Sequence, residues 1–350
     1  KLTEPNPNEF QDYKVVVHSD DEVPSIAIIP FRNKGKEEDA FYAYGICADL
    51  ISDCRSAGLI RAESLDRIEK IENYDKLDIT ELASKLFVRY ISTGTLWKMD
   101  DIFQLSIELY DAKLSKVIWS DRWEESWDNL PSIKGSLSDG LLKALNTTSK
   151  VERRVETTNT EAYEFYLQGK HKYEKRENTD DTEIARGLLQ KAIDLDDNLI
   201  IAKNLLANSY LEIGEFDKAI EIYINNLKQA EELDDKRGMA YSLGHIGFSY
   251  ANKGGYSNKG NFDKALIYFT RAHDISKELG DKYGMGYSLN GIGLIYLHLG
   301  EYDKALLSST RSYEMRKAMG DKHGMGYSLN AMGLITVRKG DYNKGIEYHT

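Results

Sequence analysis

Residues 280–290 read GDKYGMGYSLN and residues 320–330 read GDKHGMGYSLN; ten of eleven positions agree at an offset of 40. Self-similarity at a period of roughly 20–50 residues marks stacked supersecondary units. A weaker copy, DDKRGMAYSLG, fills residues 234–244. Its Gly238 precedes Gly284 by 46 positions, so that unit carries six extra residues. Such a unit buries its apolar face only against its neighbours. The C-terminal half must therefore build an elongated array, not one globular core.

The unit beginning at Asp281 shows what is stacked. DKYGMGYSLNGIGLIYLHLG carries Met285, Leu289, Ile292, Leu294, Ile295, Tyr296 and Leu299, the spacing of a helix with one broad buried face. Asp281 is placed to cap it and Gly300 to stop it. EYDKALLSSTRSYEMRKAMG then gives a second amphipathic helix through Tyr302, Ala305, Leu306, Tyr313, Met315 and Met319, closed by Gly320. In the longer unit, KGGYSN followed by KGNFDK reads as a duplicated turn, and Gly254, Gly255 and Gly260 predict a flexible loop there. The final GDYNKGIEYHT repeats GEYDKALLSST, so Thr350 falls about ten residues into a second helix. Solenoids need polar caps, so further repeats are expected beyond this chain, which is read as a fragment of a larger protein.

At these residues the chain resembles the tetratricopeptide repeat family. Leu289, Ile292, Gly293, Tyr296 and Ala305 fit its pattern, and Ser309 and Ser312 depart from it. Leu243, Ile246, Gly247, Tyr250, Ala265, Phe269 and Ala272 fit in the preceding unit. Leu206, Ala207, Tyr210, Ala219 and Tyr223 fit in an earlier one. A degenerate first unit begins near Ala162, with Leu167, Gly169, Ala185, Ala192 and then DLDDN. The family unit has about 34 residues, so these resemble its long-helix variety. The resemblance implies a superhelix whose first helices line a concave face. Counted from Tyr296, the inward positions are Tyr287, Asn290, Leu294, Leu297 and His298. One unit on they are Tyr327, Asn330, Leu334, Val337 and Arg338; one unit back, Tyr241, His245 and Phe248. In related long-repeat proteins an Asn on this helix holds a bound peptide backbone, because an amide both donates and accepts. Asn290 and Asn330 would form such a ladder.

The first half reads differently. PSIAIIPF (residues 24–31) is a short buried strand, and EEDAFYAYGICADLISDCRSAG an amphipathic helix ending near Gly58. DITELASKLF opens with Asp78, and Glu81 three residues later suggests a capping box. Three antiparallel strands are predicted at about 88–98, 101–111 and 116–124, then a helix from about Leu130 to Leu145. This is an α/β domain with helices on a mixed sheet. It resembles the TolB-like amino-terminal domain, related to the FlgO type, at residues 24–31, Tyr44-Gly45-Ile46, Asp49-Leu50, Ala83, Val88-Arg89-Tyr90, Gly94, Gln104-Leu105 and Asp111. The segment FVRYISTGTLWK lacks the basic hairpin usual in that family, so no anionic ligand is implied there. The expected organisation is a linker at 1–23, the α/β domain at 24–147, a second linker at 148–160, and a repeat array of about four and a half units at 161–350.

Charge and motifs narrow the function. A net charge of −11 argues against nucleic-acid phosphates and anionic lipid as partners. No apolar run reaches the length of a membrane span. Cys47 and Cys54, seven apart, lie about 10 Å from each other on one helix face, too far for a disulfide. They read as small buried hydrophobes and slightly favour a reducing compartment. GMGYSLNGIG is only faintly like a dinucleotide loop, because it opens a repeat helix and follows no strand. Asp100-Asp101 and Asp234-Asp235 sit where turns and caps want Asp. Trp97, Trp119, Trp123 and Trp127 read as packing for the sheet and its edge. Of seven dispersed histidines only His298 and His323 have a claim on a groove or loop. No phosphate loop, HExxH or catalytic constellation occurs, so neither enzyme activity nor a cofactor or metal is expected.

Surface recognition remains. In bacterial proteins with this domain order, the resemblance implies a regulatory segment, commonly joined to a class III adenylate or guanylate cyclase, a winged-helix domain or a kinase. The expected partner is a protein or peptide in the groove, with a homo-oligomer also open and the cytoplasm as compartment. A periplasmic envelope-assembly factor of the TolB or FlgO type is the alternative.

Overall fold

The computed structural model describes residues 24–56, 60–99, 102–147, 157–253 and 259–349. The expected linkers at 1–23 and most of 148–160, the Asp100-Asp101 turn, and Gly254 and Gly255 lie outside them.

In the α/β half, β1 (Ser25–Ile28) is buried at all four residues because helices or loops cover both faces. It pairs in parallel with β3 (Arg61–Ala62) and β4 (Tyr90–Met99). A two-residue strand, β2 (Arg32–Asn33), also lies parallel to β4. From β4 the chain meanders through β5 (Ile102–Asp111) and β6 (Lys116–Ser126), both antiparallel, with Tyr90 opposite Asp111 and Met99 opposite Ile102. The sheet order is β3-β1-β4-β5-β6. Phe103, Leu105, Ile107 and Leu109 alternate along β5 and are buried, the period-2 pattern of a sheet with one covered face. Two long helices, α1 (Ala40–Ser56) and α4 (Leu130–Ala144), contribute to the same core. Gly94 is required by a close approach: a Cβ there would lie 2.5 Å from the Ser106 carbonyl and 2.8 Å from the Phe31 ring.

Two short helices complete this half, α2 (Leu65–Glu69) and α3 (Ile79–Leu86). The capping box expected at α3 is not made. Asp78 accepts from the Thr80 amide, while Glu81 pairs with Lys85 one turn on. Cys47 and Cys54 are free and buried, as read from the sequence. The Cys47 sulfur accepts the Phe31 amide at 3.2 Å, and burial pushes its thiol well above the ordinary range.

Five helical hairpins follow: α5 (Thr160–Glu174) with α6 (Thr179–Leu195), α7 (Ile200–Glu212) with α8 (Phe216–Glu232), α9 (Lys236–Lys253) with α10 (Lys259–Leu279), α11 (Lys282–His298) with α12 (Tyr302–Ala318), and α13 (Lys322–Lys339) with α14 (Tyr342–His349). Gly260, expected in a flexible loop, lies in the first turn of α10. Gly214, Gly280, Gly300, Gly320 and Gly340 all take positive φ at helix ends. Asp281 and Asp321 cap α11 and α13 by accepting the amides of Gly284 and Gly324. The departures at Ser309 and Ser312 have a packing reason. A Cβ on Gly293 would sit 2.6 Å from the Ser309 oxygen, so α11 and α12 touch where only small residues fit. Ser312 donates to the Gly286 carbonyl at 2.8 Å and meets Ser328 of α13 at 3.0 Å.

The array is not strung loosely from the α/β domain. One continuous core runs from Ile26 through α5 and α6 to Leu206 of α7. Gly45 of α1 lets α5 approach so closely that a Cβ would meet the Leu167 side chain at 2.7 Å. At the centre of this contact Asp49, 4% exposed, accepts from the hydroxyls of Tyr163 (2.6 Å) and Tyr166 (2.8 Å) and from the Lys170 ammonium (2.6 Å). Burial alone would raise the Asp49 carboxyl. Lys170 and Lys134, with the hydrogen bonds, more than offset that and hold it below the usual range. Beside it, Lys98 lies 4.4 Å from the Trp127 ring centroid and donates to Tyr42, whose hydroxyl donates to Glu164 of α5.

Candidate recognition groove

Successive first helices α5, α7, α9 and α11 place side chains around one concavity of about 350 Å³, lined by Tyr173, Asn208, Leu211, Glu212, His245, Phe248 and Tyr287. Each lining residue comes from a first helix, so the concavity belongs to the inner layer of the solenoid. Its wall is aromatic. His245 lies 4.3 Å from Tyr241, 5.2 Å from Tyr223 and 5.7 Å from Tyr287, centroid to centroid. Asn208 is locked at the edge, accepting from the Tyr223 hydroxyl at 2.5 Å and donating to the Tyr241 hydroxyl at 2.9 Å. Enclosure by these rings lowers the His245 pKa to about 4, so the imidazole is neutral at physiological pH. Its Nδ1 is buried and meets no partner.

Of the residues expected to face inward, Tyr241, His245, Phe248 and Tyr287 meet around this concavity. Tyr287 also packs against its own neighbours. A Cβ on Gly244 would lie 3.3 Å from its ring, and Phe269 meets it edge-on at 6.2 Å. Asn290 is half-buried with its Oδ1 enclosed and unpartnered. Leu294, Leu297 and Val337 are half-buried, whereas Tyr327, Asn330, Leu334 and Arg338 are exposed on α13 and do not line this concavity. The two Asn residues of the expected ladder therefore occupy different surroundings. Gly244 stands at their register position on α9, so no amide is offered there. His298 is exposed, and its ring stacks on Phe262 of α10 at 5.5 Å. His323 lies edge-on to Tyr327 at 4.8 Å, one turn before it on α13.

Tyr173, Asn208, Leu211 and Glu212 were not foreseen. The register carried a signal for one of them: counting 40 back from Phe248, as Tyr250 maps to Tyr210, lands on Asn208. Glu212 is bound by Arg176 at 2.6 Å, and that guanidinium lies 4.2 Å from the Tyr173 ring centroid. The rim thus pairs its own charges and leaves the floor neutral. Among the described residues no group of three or more His, Cys, Asp or Glu is placed to hold a metal ion. No described helix is long and apolar enough to cross a membrane.

Residues 204–237 and 255–318 match tetratricopeptide-repeat family models. Comparison with curated proteins finds no significant match. Among solved structures, BtubC from P. vanneervenii is 18% identical, covering 53% of this chain and 76% of its own at a TM-score of 0.45. A Rap protein complexed with competence and sporulation factor is 17% identical, covering 63% and 59%, TM-score 0.45. TolB from Acinetobacter baumannii is 19% identical over 35% of this chain and 28% of its own, TM-score 0.27. This chain therefore spans less than two thirds of the latter two. The chain folds as a mixed-sheet α/β region followed by a tetratricopeptide-type helical solenoid.

Proposed function

We propose that this chain is a non-catalytic protein-interaction segment that grips an extended stretch of a partner protein in the groove of α7, α9 and α11. The observation that carries the reading is an apolar concavity on the first helices at which two large rings stay exposed, Phe248 at 37% and Tyr241, beside His245, at 39%. An extended peptide would cover these rings, its side chains filling the space against Phe248 and Leu211. The finer reading is a regulatory segment of a bacterial signalling protein in the cytoplasm, joined to a nucleotide cyclase. It rests on the resemblance of the first half to TolB-like domains that precede such repeats in bacterial signalling proteins. The test is photo-crosslinking in cells that make the partner. A benzophenone amino acid at Phe248 should capture one protein. The same group at Ile267, exposed on α10, should not. Capture from Ile267 and none from Phe248 would move recognition to the outer face and overturn the proposal.

A further inference from the structure

The solenoid curls far enough for its fourth and fifth hairpins to meet the α/β domain again. Phe87, which ends α3, is 55% exposed, and the Lys322 ammonium at the start of α13 lies 3.8 Å from its ring centroid. Tyr283, in the first turn of α11, lies within electrostatic reach of Arg55, Arg61 and Glu63 of the α/β domain. Burial raises its phenol above the ordinary range, Asp321 adds to that, and Arg55 and Arg61 oppose it. The receiving edge is itself firm: Arg61 pairs with Glu63 and donates to the Phe87 carbonyl, and Arg67 holds Glu63 from the other side at 3.1 Å.

The two attachments of the array differ in kind. At α1 and α5 the contact is broad, buried and built on the Asp49 network. At α11 and α13 it is narrower: at α13 an exposed ammonium meets an exposed ring, and at α11 the single Tyr283 side chain lies near Arg55, Arg61 and Glu63. We propose that the second contact is a latch: the α/β edge at Phe87 closes reversibly on the N-terminal ends of α11 and α13, while the Asp49 interface holds the other end of the array fixed. A cation–π contact at an exposed site shifts an equilibrium only about two- to fivefold, so losing it alone would move the balance of closed and open forms by no more than that. Phe87 supports this reading by its backbone. It takes the left-handed conformation (φ 54°) in a helix-ending turn, where its amide reaches the Ser84 carbonyl and the Val88 amide reaches Ala83. Glycine suits that position best, and a large ring there contributes chiefly through what it touches. Tyr283 and Tyr287 are one turn apart on α11, so closing the latch fixes the end of the helix whose next turn lines the groove.

Pulsed electron spin resonance on the full chain tests this, with labels at Ser84→Cys on α3 and Lys317→Cys on α12. Cys47 and Cys54 are 0% and 1% exposed and stay unlabelled. The expected distribution has a shorter, closed distance and a longer, open one. Lys322→Ala should lower the closed-to-open ratio about two- to fivefold, and Lys322→Arg, which also stacks on rings, should keep it. Phe87→Gly should open the latch while leaving the melting temperature equal or higher, which separates release of the latch from damage to the fold. A single distance unchanged by all three substitutions would show a rigid interface. A long distance alone in the unsubstituted chain would show that the contact does not form. Either result overturns the proposal.

Discussion

Replacing Asp49 by Ala tests how the array is held to the α/β domain. The carboxylate is 4% exposed, and its three partners all come from α5. Removing it leaves the Lys170 ammonium, 10% exposed, without its counter-charge, and takes the shared acceptor from two tyrosine hydroxyls. Breaking a buried pair by deleting one partner costs about 3–5 kcal/mol, and a lost acceptor about 1–3 kcal/mol. These terms overlap because the groups share one site, so the expected loss is about 4 kcal/mol. Asp49→Asn keeps the shape and should cost less. Replacing the pair together, Asp49→Leu with Lys170→Met, should recover most of the loss, since no charge is then stranded. Hydrogen exchange is the assay, because whole-chain melting of a repeat array need not be two-state. Amides of α1 and α5 should lose protection in Asp49→Ala while those of α11 to α13 hold theirs. A change below about 1 kcal/mol, or a uniform loss along the whole chain, would refute the claim that this network docks the array. The pH sign agrees with it. The Asp49 carboxyl is held below its unfolded value, so its contribution is present above the unfolded carboxylate range and is lost as the pH falls through the lowered folded value.

Three further outcomes are expected. His245 titrates near 4 when folded and near 6.5 when unfolded, so the unfolded chain binds more protons between those values. Stability from this site is therefore full above about pH 6.5 and falls by about 2–3 kcal/mol on acidification toward pH 4. His245→Phe should flatten that part of a melting-temperature profile, and an unchanged slope would contradict the burial account. Gly94→Val drives a side chain into the Ser106 carbonyl and the Phe31 ring and should cost about 3 kcal/mol or more by denaturant titration; a neutral effect would mean that β4 and β5 sit farther apart. The purified chain should neither hydrolyse ATP or GTP nor form cyclic nucleotides in a coupled-release assay. Turnover that co-purifies with the chain and vanishes in a Phe248→Glu variant would overturn the non-catalytic reading.

The helical half was legible because its signals are local. A repeated Asp–x–x–Gly cap, a glycine at the helix end and an apolar face recurring every three to four residues each act within one hairpin, and Asp281, Gly300 and Gly320 do as read. The strand meander was legible from the alternation of Phe103, Leu105, Ile107 and Leu109. Asp49 was not. On its own helix it reads as an ordinary acid, and its partners lie 114 to 121 positions away. Tyr163, Tyr166 and Lys170 do share a face of α5 by their spacing, but nothing local says that a carboxylate waits opposite. The groove was half legible for the same reason. Residues of the strong repeats were found by register. Tyr173 and Glu212 come from the degenerate early hairpins, where the pattern is too weak to count from. The expected pair of Asn290 and Asn330 sits in unequal surroundings, which the repeat register does not show: packing half-buries Asn290 and leaves Asn330 exposed.

The most direct test of the groove is calorimetric titration with a peptide selected on the immobilised chain from a random display library. The unsubstituted chain should bind that peptide with one-to-one stoichiometry. Asn290→Ala removes one backbone hydrogen bond worth about 1–3 kcal/mol and Phe248→Ala removes a wall of the concavity, so each should weaken binding roughly tenfold with the fold retained. Asn330→Ala, on an exposed amide beyond the concavity, should change affinity less than twofold. Equal affinity for all four proteins would place the peptide elsewhere and contradict the groove as the site of recognition.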